Sequence, residues 1–181
     1  MLSPPAQQAL FRLARDTVQA RLTGAPPPPL PQEPGLEAPR GVFVTWRREG
    51  ELRGCIGHAT ARLPLAEAVR ELAPAAAFQD RRFEPIQAEE LTVLELELTV
   101  LTEPEPACVE RVEVGVHGLL VRRGPRSGLL LPQVASEQGW DREAFLRATC
   151  RKAGLPPDAW SDPATTVLWF TGRAYEDLPR G

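Results

Sequence analysis

The sequence predicts an α+β fold built from antiparallel sheets with packed helices. Three observations carry this expectation. Leu94, Leu96, Leu98 and Val100 alternate with Glu95, Glu97 and Thr99, the period of a strand. Runs of strand formers come in pairs joined by short turns, as in hairpins. Helical-period segments lie between these pairs without regular strand–helix alternation, which argues against a parallel α/β sheet.

In order along the chain, residues 6–22 place Leu10, Leu13, Ala14, Thr17, Val18 and Leu22 on one helical stripe, with Arg12, Arg15, Asp16 and Gln19 largely off it. This predicts a packing helix within 1–22. Residues 24–39 hold Pro26-Pro27-Pro28-Pro29-Leu30-Pro31, Pro34 and Pro39, an extended, stiff tether that cannot hold a helix. The main body spans 41–181 and opens with a hairpin, Val42-Phe43-Val44-Thr45-Trp46 and Glu51-Leu52-Arg53-Gly54-Cys55-Ile56-Gly57. Pro64 can open a helix carrying Leu65, Ala68, Val69, Leu72 and Ala76, which Pro74 should bend or split. After the strand of Leu94 to Val100, a second strand pair is expected around Val112 to Arg122 and Gly128 to Leu131. Asp141 is a plausible N-cap for a helix ended by Gly154, and Thr165 to Phe170 reads as a last strand.

At roughly 150 residues per domain, the 181 residues predict a single domain, 1–181. The net charge of −3 gives no whole-domain attraction to nucleic acid, which makes that partner unlikely by charge. No apolar run approaches a membrane span and no leader pattern is visible, so no membrane role and a cytoplasmic location are expected. Cys55, Cys108 and Cys150 form an odd, scattered set, unlike a disulfide framework. Lys152 is the sole lysine among 21 Lys and Arg residues, and 20 Pro accompany a complete lack of Asn. Abundant Pro and missing Asn suit a heat-exposed protein, whereas scarce lysine runs against the commonest hyperthermophile pattern.

The segment Leu52-Arg53-Gly54-Cys55-Ile56-Gly57 is the most informative chemically. Glycine in a strand marks a bulge or a close approach by a ligand or another backbone. An adjacent arginine favours the thiolate, the nucleophilic form of Cys55. Without a bulge, Arg53 and Cys55 share one strand face. The bland alternative is an inert core thiol. Cys55 and His58 have ligand-like spacing, but a second ligand pair is absent, so no metal site is predicted. Cofactor signatures of the phosphate-loop and dinucleotide types are also absent. His117 lies between Gly115-Val116 and Gly118, where it could act as a general base or merely stabilise a turn. Arg82 could clamp an anion or pair within the fold.

Taken together, Gly41-Val42-Phe43-Val44-Thr45, the block around Cys55, Ala76-Ala77 with Asp80-Arg81-Arg82-Phe83, Gly115-Val116-His117-Gly118-Leu119, Leu130-Leu131-Pro132-Gln133-Val134-Ala135 with Trp140, and Lys152-Ala153-Gly154-Leu155 closely resemble the AMMECR domain family. Its bacterial and archaeal members are called AmmeMemoRadiSam system protein A. The resemblance implies an α+β domain of two unequal lobes with a cleft between them where the motif residues gather. It implies, as partners, a Memo-type protein related to ring-opening dioxygenases and a radical SAM enzyme, and it carries no established reaction. Two positions depart from the family pattern: His58 replaces a small hydroxyl residue, and Arg81 replaces the proline before Arg82. In this context Cys55 is expected as nucleophile and His117 as base. Arg53, Gly54, Gly57, Asp80, Arg82 and Gln133 are expected to bind a small anionic or acyl-type substrate. The rival expectation is a non-catalytic module that uses the same residues to hold a partner or a substrate carrier.

Overall fold

The computed structural model describes residues 1–177 of the chain. In chain order its first elements are α1 (Pro4–Thr23), β1 (Val42–Arg48), β2 (Glu51–His58), α2 (Leu65–Phe78), β3 (Glu95–Leu101) and β4 (Glu105–Pro106). They are followed by β5 (Gly118–Arg123), β6 (Arg126–Leu130), α3 (Pro132–Glu137), α4 (Arg142–Lys152), β7 (Thr166–Phe170) and β8 (Gly172–Asp177). The fold is α+β, with two four-stranded sheets of order β2-β1-β3-β8 and β4-β7-β5-β6. The chain divides into two compact units, Met1–Val100 with the described part of Arg173–Gly181, and Leu101–Gly172.

In the first unit, Ser3 caps α1 by accepting from the Ala6 amide, and prolines occupy the first helical positions, where a missing N–H costs nothing. The helix therefore starts two residues before the segment 6–22 read from its apolar stripe. Gly24, at φ 72°, ends it in the left-handed region. Leu10, Leu13, Ala14, Thr17 and Val18 are buried as the spacing predicts, and Phe11 joins them. Arg15 is not a solvated off-stripe residue. It pairs with Asp177 of β8 at 2.7 Å, donates to the carbonyls of Leu91 (3.2 Å) and Leu94 (2.9 Å), and lies over the Trp46 ring. One long side chain thus ties α1 to the start of β3 and to β8.

The core of this unit lies between α1 and α2 and one face of the sheet, where Val42, Val44, Trp46, Leu96 and Leu98 are buried. The α2 helix runs unbroken through Pro74. Proline removes one backbone bond, but Val69, Leu72, Ala73, Ala76 and Ala77 are all buried and hold the helix in place. The other face of β3 is only partly wet. Glu95 accepts from the Gly50 amide at 3.1 Å, and Glu97 accepts from Thr99 at 3.0 Å and faces Arg47 at 3.6 Å.

In the second unit, Leu119, Phe145 and Leu146 form one buried cluster, and Val121, Cys150, Ala153, Leu155 and Ala159 form another. Asp141 caps α4 through the Ala144 amide at 2.8 Å, and Gly154 follows its end at φ 70°. The strand expected from Val112 begins only at Gly118. Ahead of it, Gly115 at φ 85° bends the chain, and the Glu113 amide donates to His117 Nδ1 at 2.9 Å. Local hydrogen bonding here outcompetes strand extension. β4, α3 and β8 had no sequence signal strong enough to predict them.

The approach of α2 to β2 depends on Gly54, where an added Cβ would sit 2.1 Å from the Ala76 carbonyl oxygen. Relief requires moving backbone. Gly54→Ala should therefore lower the unfolding free energy by about 1–3 kcal/mol, the usual range for overpacking, as read from the urea midpoint. An unchanged midpoint would refute this account of the contact.

Candidate functional site

The site begins with a turn and a bulge. Glu49 (φ 52°) and Gly50 (φ 79°) both take positive φ, which fits a two-residue hairpin turn. Leaving that turn, Arg48 pairs with Glu51 and Arg47 with Leu52, but Trp46 pairs with Gly54, so Arg53 is an extra residue on β2. Beyond the bulge, Thr45 lies opposite Cys55 and Phe43 opposite Gly57. Val42, Val44 and Trp46 face the core, so Cys55 sits on the opposite sheet face with Thr45 and Glu97. Thr45 Oγ1 donates to Cys55 Sγ at 3.3 Å, and the thiol is half-buried. Cys55 and His58 are three residues apart and point to opposite faces. His58 instead lies 3.8 Å from Glu71.

β2 is an edge strand, and side chains partner its backbone at Cys55. The Cys55 amide donates to Asp80 Oδ2 at 2.9 Å, and Arg82 Nη2 donates to the Cys55 carbonyl at 3.4 Å. Asp80 and Arg82 are themselves joined by a two-pronged pair, Nε to Oδ1 at 2.9 Å and Nη2 to Oδ2 at 2.7 Å. Acceptor and donor together reproduce what a neighbouring strand would offer. The Arg82 hydrogen bonds hold the Asp80 carboxyl far below the usual carboxylate range, against the opposing effect of burial, with the Cys55 amide adding to the depression. Asp80 in turn pushes the Arg82 guanidinium further up. The Asp80 side chain is 7% exposed and that of Arg82 59%, so the carboxylate is structural while the guanidinium still faces solvent.

The AMMECR1 family model matches residues 11–175. The chain belongs to the AMMECR1 family. It is 45% identical to a protein of Methanothermobacter thermautotrophicus over 97% of this chain and 96% of that one. It is 46% identical to protein TK0174 of Thermococcus kodakarensis over 95% and 91%. The crystal structure of an uncharacterised Pyrococcus horikoshii protein, PH0010, matches at 44% identity with a TM-score of 0.72, covering 95% of this chain and 92% of that one.

In this AMMECR1-family protein the sequence-predicted residues fall into different surroundings. Cys55, Gly54, Gly57, Asp80 and Arg82 belong to one unit and meet around β2. Gly57 is covered by the Phe43 ring, which a Cβ there would meet at 2.3 Å. Arg53 adjoins them but is committed elsewhere: it binds Glu90 with Nε and Nη2 at 3.0 and 2.9 Å, Glu84 O at 2.5 Å and Pro85 O at 3.4 Å. This pairing keeps the Glu90 carboxyl low. Arg53 thus fastens the 84–90 loop to the bulge. His117 and Gln133 belong to the second unit. The His117 ring accepts from Glu113 and stacks on Trp169 with 4.5 Å between centroids; Gln133 is exposed on α3. Cys108 is exposed, and Cys150 is buried, with burial pushing its thiol up.

Thr45 and Glu90 are the residues that sequence reasoning missed. Thr45 lies within a quoted motif, but only the bulge places it opposite Cys55. Glu90 is the second of two adjacent glutamates, with no pattern to distinguish it.

The Asp80 pair predicts a pH dependence. Its folded pKa is depressed from 3.8, so its contribution to stability is complete above that value and is lost as pH falls through the folded pKa. The unfolding free energy should decline below about pH 4. Asp80→Asn should lower stability at neutral pH and make the acid decline shallower, with Glu90 still titrating in the same direction. Parallel declines for both proteins would contradict this assignment.

Proposed function

We propose that this AMMECR1-family protein is an enzyme or enzyme subunit that uses Cys55 on a small anionic or acyl-type substrate. The observation that carries the reading is the convergence on Cys55: Thr45 donates to its sulfur while the solvent-facing guanidinium of Arg82 is fixed to its own backbone. Arg82 would hold an anionic group of the substrate in a planar grip. The sulfur would add to the acyl carbon and form a thioester, the thiol proton departing with the leaving group, and water or a second nucleophile would then release the acyl group. The family resemblance supplies the company in which such a step would operate, a Memo-type protein and a radical SAM enzyme.

A second reading, a non-catalytic module that grips a partner or carrier through Arg82, has one specific observation in its favour. His117 Nδ1 already accepts from the Glu113 amide, so a neutral ring carries its proton on Nε2. It can take a thiol proton only after that bond is released. The two readings separate by competitive alkylation of the folded protein with iodoacetamide, followed by mass spectrometry. If Cys55 is a nucleophile, it should label at least about tenfold faster than the more exposed Cys108, and Arg82→Gln should abolish protection by small carboxylates. Labelling of Cys55 no faster than Cys108 would overturn the enzyme reading and leave the binding module.

A further inference from the structure

The edge strand β2 stays open where its side-chain partners end. In an antiparallel pair, successive residues turn their backbone groups alternately toward the partner strand and away from it. The Cys55 amide donates to Asp80 and not to β1, so Cys55 turns its backbone groups outward, and Gly57, two residues on, does the same. Beside Cys55, Asp80 and Arg82 occupy the place of a further strand. Beside Gly57, among the described residues, no group takes either the N–H or the C=O. The residues from Cys55 to His58 are only half-buried, and an accessible strand edge with unpaired groups is a template for another chain.

The order of the two side chains gives a direction to what can be added. Arg82 lies at the Cys55 carbonyl, the end of that residue nearer Gly57, and Asp80 lies at its amide, the farther end. A strand paired with Gly57 therefore meets the guanidinium after one further residue and must end there. Laid parallel to β2, it would bring an N-terminal ammonium against Arg82 and be repelled. Laid antiparallel, it brings a C-terminal carboxylate, which the Arg82 donors left over by Asp80 can bind. Phe43 adds a preference: its half-buried ring covers Gly57. Directly paired residues set their side chains on one face, so the residue opposite Gly57 places its side chain beside that ring.

The geometry points to a peptide C-terminus as the ligand. An extended segment lies antiparallel on β2, its penultimate residue paired with Gly57 and apolar against Phe43, and its terminal carboxylate rests on Arg82. This rests on the reading of Arg82 as the anion grip beside Cys55, and it narrows the anionic substrate or carrier to the end of a polypeptide. Pairing through the backbone tolerates varied sequences, while the block at Cys55 excludes internal segments.

The probe is the N-acetylated tetrapeptide Ala-Ala-Leu-Ala with a free C-terminal carboxylate, titrated into the full chain by calorimetry. It should bind one to one and slow hydrogen exchange at the Gly57 amide by at least about tenfold. Amidation of its C-terminus, or methylation of the leucine nitrogen that donates to Gly57 O, should each weaken binding by at least about tenfold. Arg82→Gln, checked for its fold by circular dichroism, should bind the free and amidated peptides equally weakly; should that variant not fold, the modified peptides decide the matter on the unaltered protein. Absence of tetrapeptide binding at millimolar concentration, equal affinity for the amidated or N-methylated peptide, or acetate binding as tightly as the tetrapeptide would each overturn the proposal. Selective labelling of Cys55 without peptide binding would sink this inference and leave the enzyme reading, whereas peptide binding without selective labelling would do the reverse.

Discussion

The pairing of β1 with β2 carries one residue more on β2 than on β1, and that residue is Arg53. Continued from the turn without the bulge, the register would set Cys55 opposite Val44, on the face that packs against α1 and α2. A one-residue shift moves every following side chain to the other face. With the bulge, Gly54 takes the core-facing position opposite Trp46, and Cys55 moves to the face shared with Thr45. The bulge thus converts a prospective core thiol into a half-buried one with a hydroxyl at its sulfur. Arg53 secures it, since its guanidinium is held by Glu90 and the carbonyls of the 84–90 loop.

Gly54 passes this constraint on to the helix. Because it lacks a side chain, the Ala76 carbonyl can rest against β2, and α2 ends at Phe78 beside the strand. Asp80 then comes within reach of the Cys55 amide. The second unit repeats both glycine devices: Gly118 lies under the Phe170 ring as Gly57 lies under Phe43, and Gly128 meets the backbone of Ala153 as Gly54 meets Ala76. In each unit one glycine lets an aromatic ring fold across the strand pair, and another lets a helix seat closely on an edge strand. The glycines of the family-like motifs, Gly54, Gly57 and Gly118, are thus explained by packing.

Strong local periodicity made most of the fold legible. Alternation identified β3, the helical stripe identified α1, and Asp141 with Gly154 marked the surroundings of α4. What escaped depended on contacts distant in sequence. β8 joins the first sheet by closing it at the far edge, and Arg15 reads as a surface residue until Asp177 and the carbonyls of Leu91 and Leu94 are brought to it. For the site, the motif residues Gly54, Cys55, Asp80 and Arg82 were legible as a group, but their roles were not. A bulge leaves little trace in composition, and the sequence offered Arg53 as an anion ligand where the fold uses it as a fastener.

The Asp80–Arg82 pair also constrains what the site can recognise. A guanidinium joined to a carboxylate is nearly neutral at a distance, and the chain as a whole carries −3, so long-range attraction of an anion is weak. In the proposed reading, recognition would come at short range, from the Arg82 donors left over by Asp80 and directed by their fixed plane. Such a group favours a ligand whose acceptors match that plane, such as a carboxylate, over a merely more negative one. It also couples ligand to strand: a ligand that pulls Arg82 away from Asp80 loosens the partner of the Cys55 carbonyl. The backbone that carries the thiol is thereby tied to the group that would hold the substrate.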